Sequence, residues 1–290
     1  MSVCIYHNAD LDGYCSGAIW KTVYPDGKLI GMNYGDDVPW DRLIGADVTV
    51  VDFCLQPWSE MERLLGIAKS VTWIDHHKSA IEEWQRLECP YILGSRDTTK
   101  AACELTWEYL HPEKPMPRGV FLLGDYDCWR HSDPDTMPYQ MGMRLYDMDP
   151  ASEDAMPRWS SVFASSPQCH TDTLRDGRPI LTYQQQQNAK AAKAIWLPVE
   201  FDGRQWMAVN QGGINRQFWD AIWDASFDGK LSFVRSRKHW TVSLYSDTVD
   251  CSEIAKRHGG GGHQGASGFQ CQELPFAFNS EATTTGEVET

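Results

Sequence analysis

Through its first 130 positions this chain alternates short, β-branched-rich apolar runs with helix-like stretches, and the runs close on acidic or histidine residues. Residues 2–6 (Ser-Val-Cys-Ile-Tyr), 47–53 (Asp-Val-Thr-Val-Val-Asp-Phe) and 70–75 (Ser-Val-Thr-Trp-Ile-Asp) have the character of buried parallel strands, with 29–34 and 91–93 as weaker strands. Helices are expected at about 13–23, 57–68, 79–87 and 99–110. This alternation predicts an α/β fold with a doubly wound parallel sheet. In such a sheet the ligand lies beyond the carboxyl ends of the strands. His7-Asn8-Ala9-Asp10-Leu11-Asp12-Gly13, Asp52 and Asp75-His76-His77 fall at those ends, and Asp125-Tyr126-Asp127 follows a further apolar run. Separate chain segments can thus deliver oxygen and nitrogen ligands to one place.

The character changes near Pro134. Residues 1–133 are expected to form the metal-binding domain and 134–197 a helical linker that includes a helix at about 179–196. A smaller α+β domain then spans 198–279, with hairpins at 199–209 and 231–245 around a helix at about 214–225 and a second helix-like stretch at 251–257. Residues 280–290 are polar and acidic and are expected to fray.

Asp carboxylates and His imidazoles suit Mn2+ and Mg2+, and the nine cysteines are scattered with no C-x-x-C pair, so they read as buried free thiols. Two ions about 4 Å apart need a bridging carboxylate with terminal ligands on either side. Asp52, alone at a strand end, is the natural bridge, and Asp10 and Asp12 are placed to serve neighbouring ions. A lone Asp after a strand is usually a helix N-cap and a lone His a satisfied polar residue. Capping does not explain these clusters arriving in register, nor two adjacent histidines with an aspartate.

The net charge of −14, from 26 basic and 40 acidic residues, argues against a long nucleic acid gripped along its backbone. A phosphodiester substrate should be short. No apolar stretch approaches the roughly 20 residues of a membrane helix, and the first residues lack a secretory pattern, so a cytoplasmic protein is expected. The sequence leaves monomer and homodimer open.

Asp10-x-Asp12-Gly13, Val51-Asp52, Asp75-His76-His77 and Gly124-Asp125-Tyr126-Asp127-Cys128-Trp129 resemble motifs I to IV of the DHH phosphoesterase superfamily. The likeness is greatest to its nano-RNase B or cyclic-nucleotide phosphodiesterase branch. It implies His7 and Asp10 on one ion, Asp12, His76 and Asp125 on the other, and Asp52 between them, Asp125 being taken over Asp127. It also implies that Asp75 orients His76 and that His77 faces the scissile phosphate, these two completing the catalytic set. The ions would be two divalent cations, Mn2+ before Mg2+.

A second signal is His258-Gly259-Gly260-Gly261-Gly262-His263-Gln264-Gly265-Ala266-Ser267-Gly268-Phe269. Consecutive glycines let backbone N–H groups converge on an anion, and a flanking His adds a charge-assisted contact. The run resembles the glycine-rich signature of the DHHA1 domain. That resemblance implies that Gly260, Gly261, Gly262 and His263 bind substrate, with Arg235 and Arg237 as further contacts.

Together these features predict a two-metal phosphodiesterase that cleaves short oligoribonucleotides, dinucleotides or cyclic nucleotides with a metal-activated water. A manganese-dependent pyrophosphatase is the alternative within the enzyme class. A non-catalytic nucleotide sensor is the alternative outside it, and would require a missing metal ligand.

Overall fold

The first sheet is parallel throughout, in the order β2-β1-β3-β4. Its strands are β1 (Ser2–His7), β2 (Lys28–Met32), β3 (Asp47–Val51) and β4 (Ser70–Ile74). Side chains alternate between the faces. Val3, Ile5, Val48, Val50 and Trp73 pack on one face with Met61 and Leu64 of α2 (Trp58–Ile67) and Ile81 of α3 (Lys78–Arg86). Cys4, Tyr6, Val51 and Ile74 pack on the other with Trp20 of α1 (Leu11–Val23) and Leu105 of α4 (Ala102–Leu110). Both faces are covered, which is why these strands read as nearly continuous apolar runs. The chain leaves β1 in one direction and β3 in the other, so the switch point lies between the ends of β1 and β3.

The computed structural model describes residues 1–88, 91–214, 216–219 and 222–278. The chain divides into two units, Met1–Leu181 and Thr182–Thr290. The expected doubly wound α/β fold is present. Residues 91–93 form no strand: Leu93 makes an isolated bridge with Thr72, and Ile92 packs in the apolar cluster on one face of the sheet. The fourth acidic cluster arrives on a helix, α5 (Arg118–Asp127).

After α5 come α6 (Thr136–Met143), α7 (Ala155–Phe163) and α8 (Pro167–Ile195). Tyr139, Met143, Trp159, Val162 and Leu174 share one apolar cluster with Leu11, Ala18, Val120 and Leu122. Residues 134–181, expected within a linker, therefore belong to the core of the first unit. Burying a side chain such as Val120, Leu122 or Met143 contributes about 1.5–3 kcal/mol relative to exposing it. Further along α8, Ala192 packs with Met207, Val209, Phe218 and Trp219 in the second unit.

The second unit holds a six-stranded sheet ordered β5-β6-β7-β8-β10-β9. Its strands are β5 (Leu197–Phe201), β6 (Arg204–Val209), β7 (Gly229–Arg235), β8 (Trp240–Tyr245), β9 (Gly261–His263) and β10 (Ala266–Cys271). Only β6 and β7 pair in parallel. Both expected hairpins form. The β5–β6 turn uses Asp202 and Gly203 with positive φ of 56° and 70°, the geometry that suits a two-residue hairpin. The helix α9 (Cys251–Arg257) packs on the sheet through Cys251, Ile254 and Ala255. Of the helix expected at about 214–225, the described residues show a 3-10 turn, Arg216–Trp219. The expected tail, 280–290, lies outside the described residues. No helix among the described residues is long and apolar enough to cross a membrane.

Candidate metal centre

The acidic and histidine residues meet at the switch point of the first sheet. His7 is the last residue of β1, and its Nδ1 lies 3.6 Å from Asp52 Oδ2 and 3.9 Å from Asp10 Oδ2. His76, just after β4, places Nε2 3.3 Å from Asp52 Oδ1, 3.4 Å from Asp127 Oδ2 and 3.6 Å from Asp12 Oδ2. Asp52 thus offers one oxygen to each side, as a bridging carboxylate must.

Local structure explains how each carboxylate is aimed. Asp10 caps α1, its Oδ1 accepting from the N–H groups of Asp12 and Gly13 at 3.1 Å, which turns Oδ2 toward His7. Asp12 accepts from the N–H groups of Ala102 and Cys103 at 2.9 and 2.7 Å, so the N-terminus of α4 holds it in place. Asp52 has φ 52°, a left-handed conformation that Asp tolerates better than bulkier residues. Gly13 is required by close approach, since a Cβ there would lie 2.0 Å from the His7 carbonyl oxygen. The Gly13→Ala variant should therefore force α1 off β1. We expect a lower melting temperature and loss of Mn2+-induced stabilisation by differential scanning fluorimetry; an unchanged melting curve would show that the two elements can separate harmlessly.

The electrostatics favour a bound cation. Burial pushes the Asp52 carboxyl well above its ordinary pKa, and the nearby Asp12, Asp10 and Asp127 push it further. Burial and Asp12 likewise raise Asp127. Burial would lower His76, but a hydrogen bond with Cys128 and the carboxylates of Asp12, Asp127 and Asp75 raise it to about 10. Burial dominates at His7 and lowers it. Four carboxylates crowd two histidines, with Asp12, Asp52 and His76 buried, an arrangement that costs free energy unless cations offset it. His7 Nδ1 and Asp52 Oδ1 are buried with no hydrogen-bond partner among the described residues. These donors fit divalent cations. His7, Asp10 and Asp52 bring ligand atoms within 4.8 Å of one another, as do Asp52, His76 and His77.

Saturation supplies a direct check. Mn2+ at ~100 times its dissociation constant should stabilise the protein by about 2.7 kcal/mol. For a unit of this size that raises the melting temperature by roughly 5–10 °C. EDTA should reverse the shift, and a flat response to Mn2+ and Mg2+ would contradict a metal centre.

Two expected assignments change. Asp125, taken as the motif IV ligand, is fully buried and engaged by the loop after α5, accepting from the Ser132 N–H at 3.0 Å, the Ser132 hydroxyl at 2.6 Å and the Thr136 hydroxyl. Asp127 occupies the expected position beside His76. Residues two apart on a helix sit about 200° apart around its axis, so only one of the pair can face the centre. Burial would raise Asp125, yet the hydrogen bonds from Ser132 and Thr136 hold it below the usual carboxylate range. Its role is to fold the loop after α5. Asp75 differs as well: its Oδ1 bonds the His77 ring at Nδ1, 2.8 Å away, and accepts from the His76 backbone N–H, while Oδ2 accepts from Trp73 Nε1. It orients His77 through the ring and His76 through the backbone. Cys128, which scattered spacing left as an ordinary thiol, lies beside His76 and Asp127. Its adjacency to motif IV was the available signal.

In the second unit the end of the glycine run enters strand β9, which pairs with β10. A Cβ on Gly260 would lie 2.1 Å from the Gly268 carbonyl oxygen, and Gly262 has φ 133°. Gly261 and His263 are exposed. Arg235 is not beside these glycines, and Arg237 lies beyond it in the β7–β8 connection. Strand register aligns Gly261 with Gly268, Ser243 and Ser232, and Arg235 lies three residues further along β7. That is about 10 Å along the strand and about 14 Å across the sheet. Arg235 instead bonds the Gln272 carbonyl at 3.2 Å.

No family model matches the sequence. The chain is 23% identical over 305 residues to an uncharacterized protein of Acanthamoeba polyphaga mimivirus, a match covering 93% of this chain and 67% of that one. Its structure is similar to the DHH domain of a member of a family of ribosomal proteins (TM-score 0.55, 15% identity, 93% of this chain and 83% of the other). It is also similar to a pGpG-specific phosphodiesterase of Vibrio cholerae (0.53, 10%, 93% of each chain). An exopolyphosphatase-related protein of Bacteroides fragilis is a further likeness (0.51, 14%, 94% of this chain and 87% of the other). The fold is that of the DHH-domain proteins.

Proposed function

We propose that this chain is a divalent-cation-dependent phosphoesterase that hydrolyses short phosphodiesters, namely oligoribonucleotides of a few residues, dinucleotides or cyclic nucleotides, to mononucleotides. The observation that carries this reading is the convergence of Asp12, Asp52 and Asp127 within 3.6 Å of His76 Nε2, with Asp52 also reaching His7. Asp10, His7 and Asp52 would hold one divalent cation, most readily Mn2+, and Asp12, Asp52, His76 and Asp127 a second. When bound, such cations polarise phosphoryl oxygens and make water a stronger nucleophile near neutral pH.

The chain's own residues supply the rest. His77 has its Nδ1 on Asp75, so proton exchange with the leaving oxygen would run through Nε2. The buried walls around Asp52 and His76 exclude bulk water, which strengthens each charge interaction. Gly261 and His263, exposed at the end of the glycine run, would hold a phosphate group. The excess of acidic over basic residues, 40 against 26, favours short substrates over long duplexes.

The test is a Mn2+-dependent hydrolysis panel: dinucleotides including pGpG, a short RNA ladder, cyclic mono- and dinucleotides, an adenosine bisphosphate and pyrophosphate. Diester turnover with mononucleotide products is expected. Exclusive turnover of pyrophosphate would move the chain to the pyrophosphatase alternative, and binding without turnover of any member would make it a sensor.

A further inference from the structure

Cys128 caps the C-terminal end of α5, directly after Asp127, and is only partly buried. Its thiol joins His76 and Asp127 in a set whose donor atoms all lie within 4.8 Å of one another. A hydrogen bond links its side chain to His76. A second observation points into the same space: Asp52 is 1% exposed, and its Oδ1, which has no hydrogen-bond partner among the described residues, lies 3.3 Å from His76 Nε2. One sulfur, one imidazole and one carboxylate are a different donor set from the His7, Asp10 and Asp52 side, which has no sulfur. Thiolate and imidazole together select cations of the zinc class over Mg2+ and Mn2+.

We propose that His76, Asp127 and Cys128 form a nitrogen–oxygen–sulfur site for a thiophilic divalent cation, sharing His76 and Asp127 with the oxygen-rich centre. A zinc-class ion and Mn2+ then compete for the same two side chains. On binding, the metal–sulfur bond forms as the S–H proton leaves to solvent, with no change of oxidation state. This rests on the cluster being a metal centre and not on its hydrolysing anything.

Co2+ and Cd2+ titrations of the full chain test it spectroscopically. We expect a thiolate-to-metal charge-transfer band in the wild type that disappears in Cys128→Ser, together with a fall in Cd2+ affinity of at least about tenfold. Should the Ser variant fail to fold, iodoacetamide labelling of the wild type read by peptide mass spectrometry answers the same question, because Cd2+ should protect Cys128 and Mg2+ should not. A band that persists in Cys128→Ser overturns the site, as does Cys128 labelling at the same rate with and without Cd2+. A thiol that only holds His76 by a hydrogen bond would produce that second result. Diester hydrolysis without the band would refute this site alone, and the band without hydrolysis would refute the phosphoesterase alone.

Discussion

Replacing Asp52 with Asn should abolish Mn2+-dependent diester hydrolysis, lowering kcat/KM by ~10³-fold or more, about 4 kcal/mol of transition-state stabilisation. Asp52 reaches both His7 and His76, with Oδ2 3.6 Å from His7 and Oδ1 3.3 Å from His76. An amide there would leave each proposed cation a ligand short and would remove the carboxylate charge shared by the two sides. Stability should move the other way. The Asp52 carboxyl is raised by burial and by Asp12, Asp10 and Asp127, so without metal it is a buried like-charge neighbour whose removal relieves repulsion. The expected signature is therefore a melting temperature in EDTA equal to or above wild type, with the Mn2+-induced rise gone. Turnover within tenfold of wild type under Mn2+ would sink the bridging role.

The second large effect is a contrast between two aspartates two residues apart. Asp127→Asn should lose hydrolysis by a comparable factor while leaving the EDTA melting curve near wild type, because its carboxylate faces His76 and the other acidic groups. Asp125→Asn should instead lower the melting temperature by roughly 5–10 °C, since it weakens charge-assisted bonds from Ser132 and Thr136 in a fully buried place. The pH dependence has a definite sign. Asp125 is held below the usual carboxylate range, so its stabilisation is present above the ordinary Asp pKa and is lost as pH falls through the folded value. The gap in stability between wild type and Asp125→Asn should narrow on acidification. Circular dichroism melts at several pH values would show it, and a gap that widened in acid would contradict the hydrogen-bonding account.

Much of the centre is legible in the sequence. Alternating β-branched runs and helical stretches specify a doubly wound sheet because buried parallel strands need apolar residues on both faces, as Val3 and Ile5 on one side and Cys4 and Tyr6 on the other illustrate. Polar residues at strand ends then have one place to go, and His7, Asp10, Asp12, Asp52 and His76 went there. The stretch after Pro134 was harder. Its apolar residues carry no strand signal, and nothing local tells Trp159 or Leu174 that they will pack on α1 and α5, because that contact depends on how helices cross.

The sequence by itself determined the elements and the donor chemistry, since periodicity and residue type are local properties. Tertiary structure alone decided which donors meet. It turned Asp127 inward and Asp125 toward Ser132, because the segment is a helix and a two-residue step reverses direction around its axis. It gave the Asp75 carboxylate to the His77 ring, set Arg235 three strands away from Gly261, and brought the Cys128 thiol to His76. The placements of Arg235 and of the Cys128 thiol depend on distances between segments far apart in the chain, and those of Asp75 and Asp125 on the backbone path over the next few residues, which residue type and periodicity do not record.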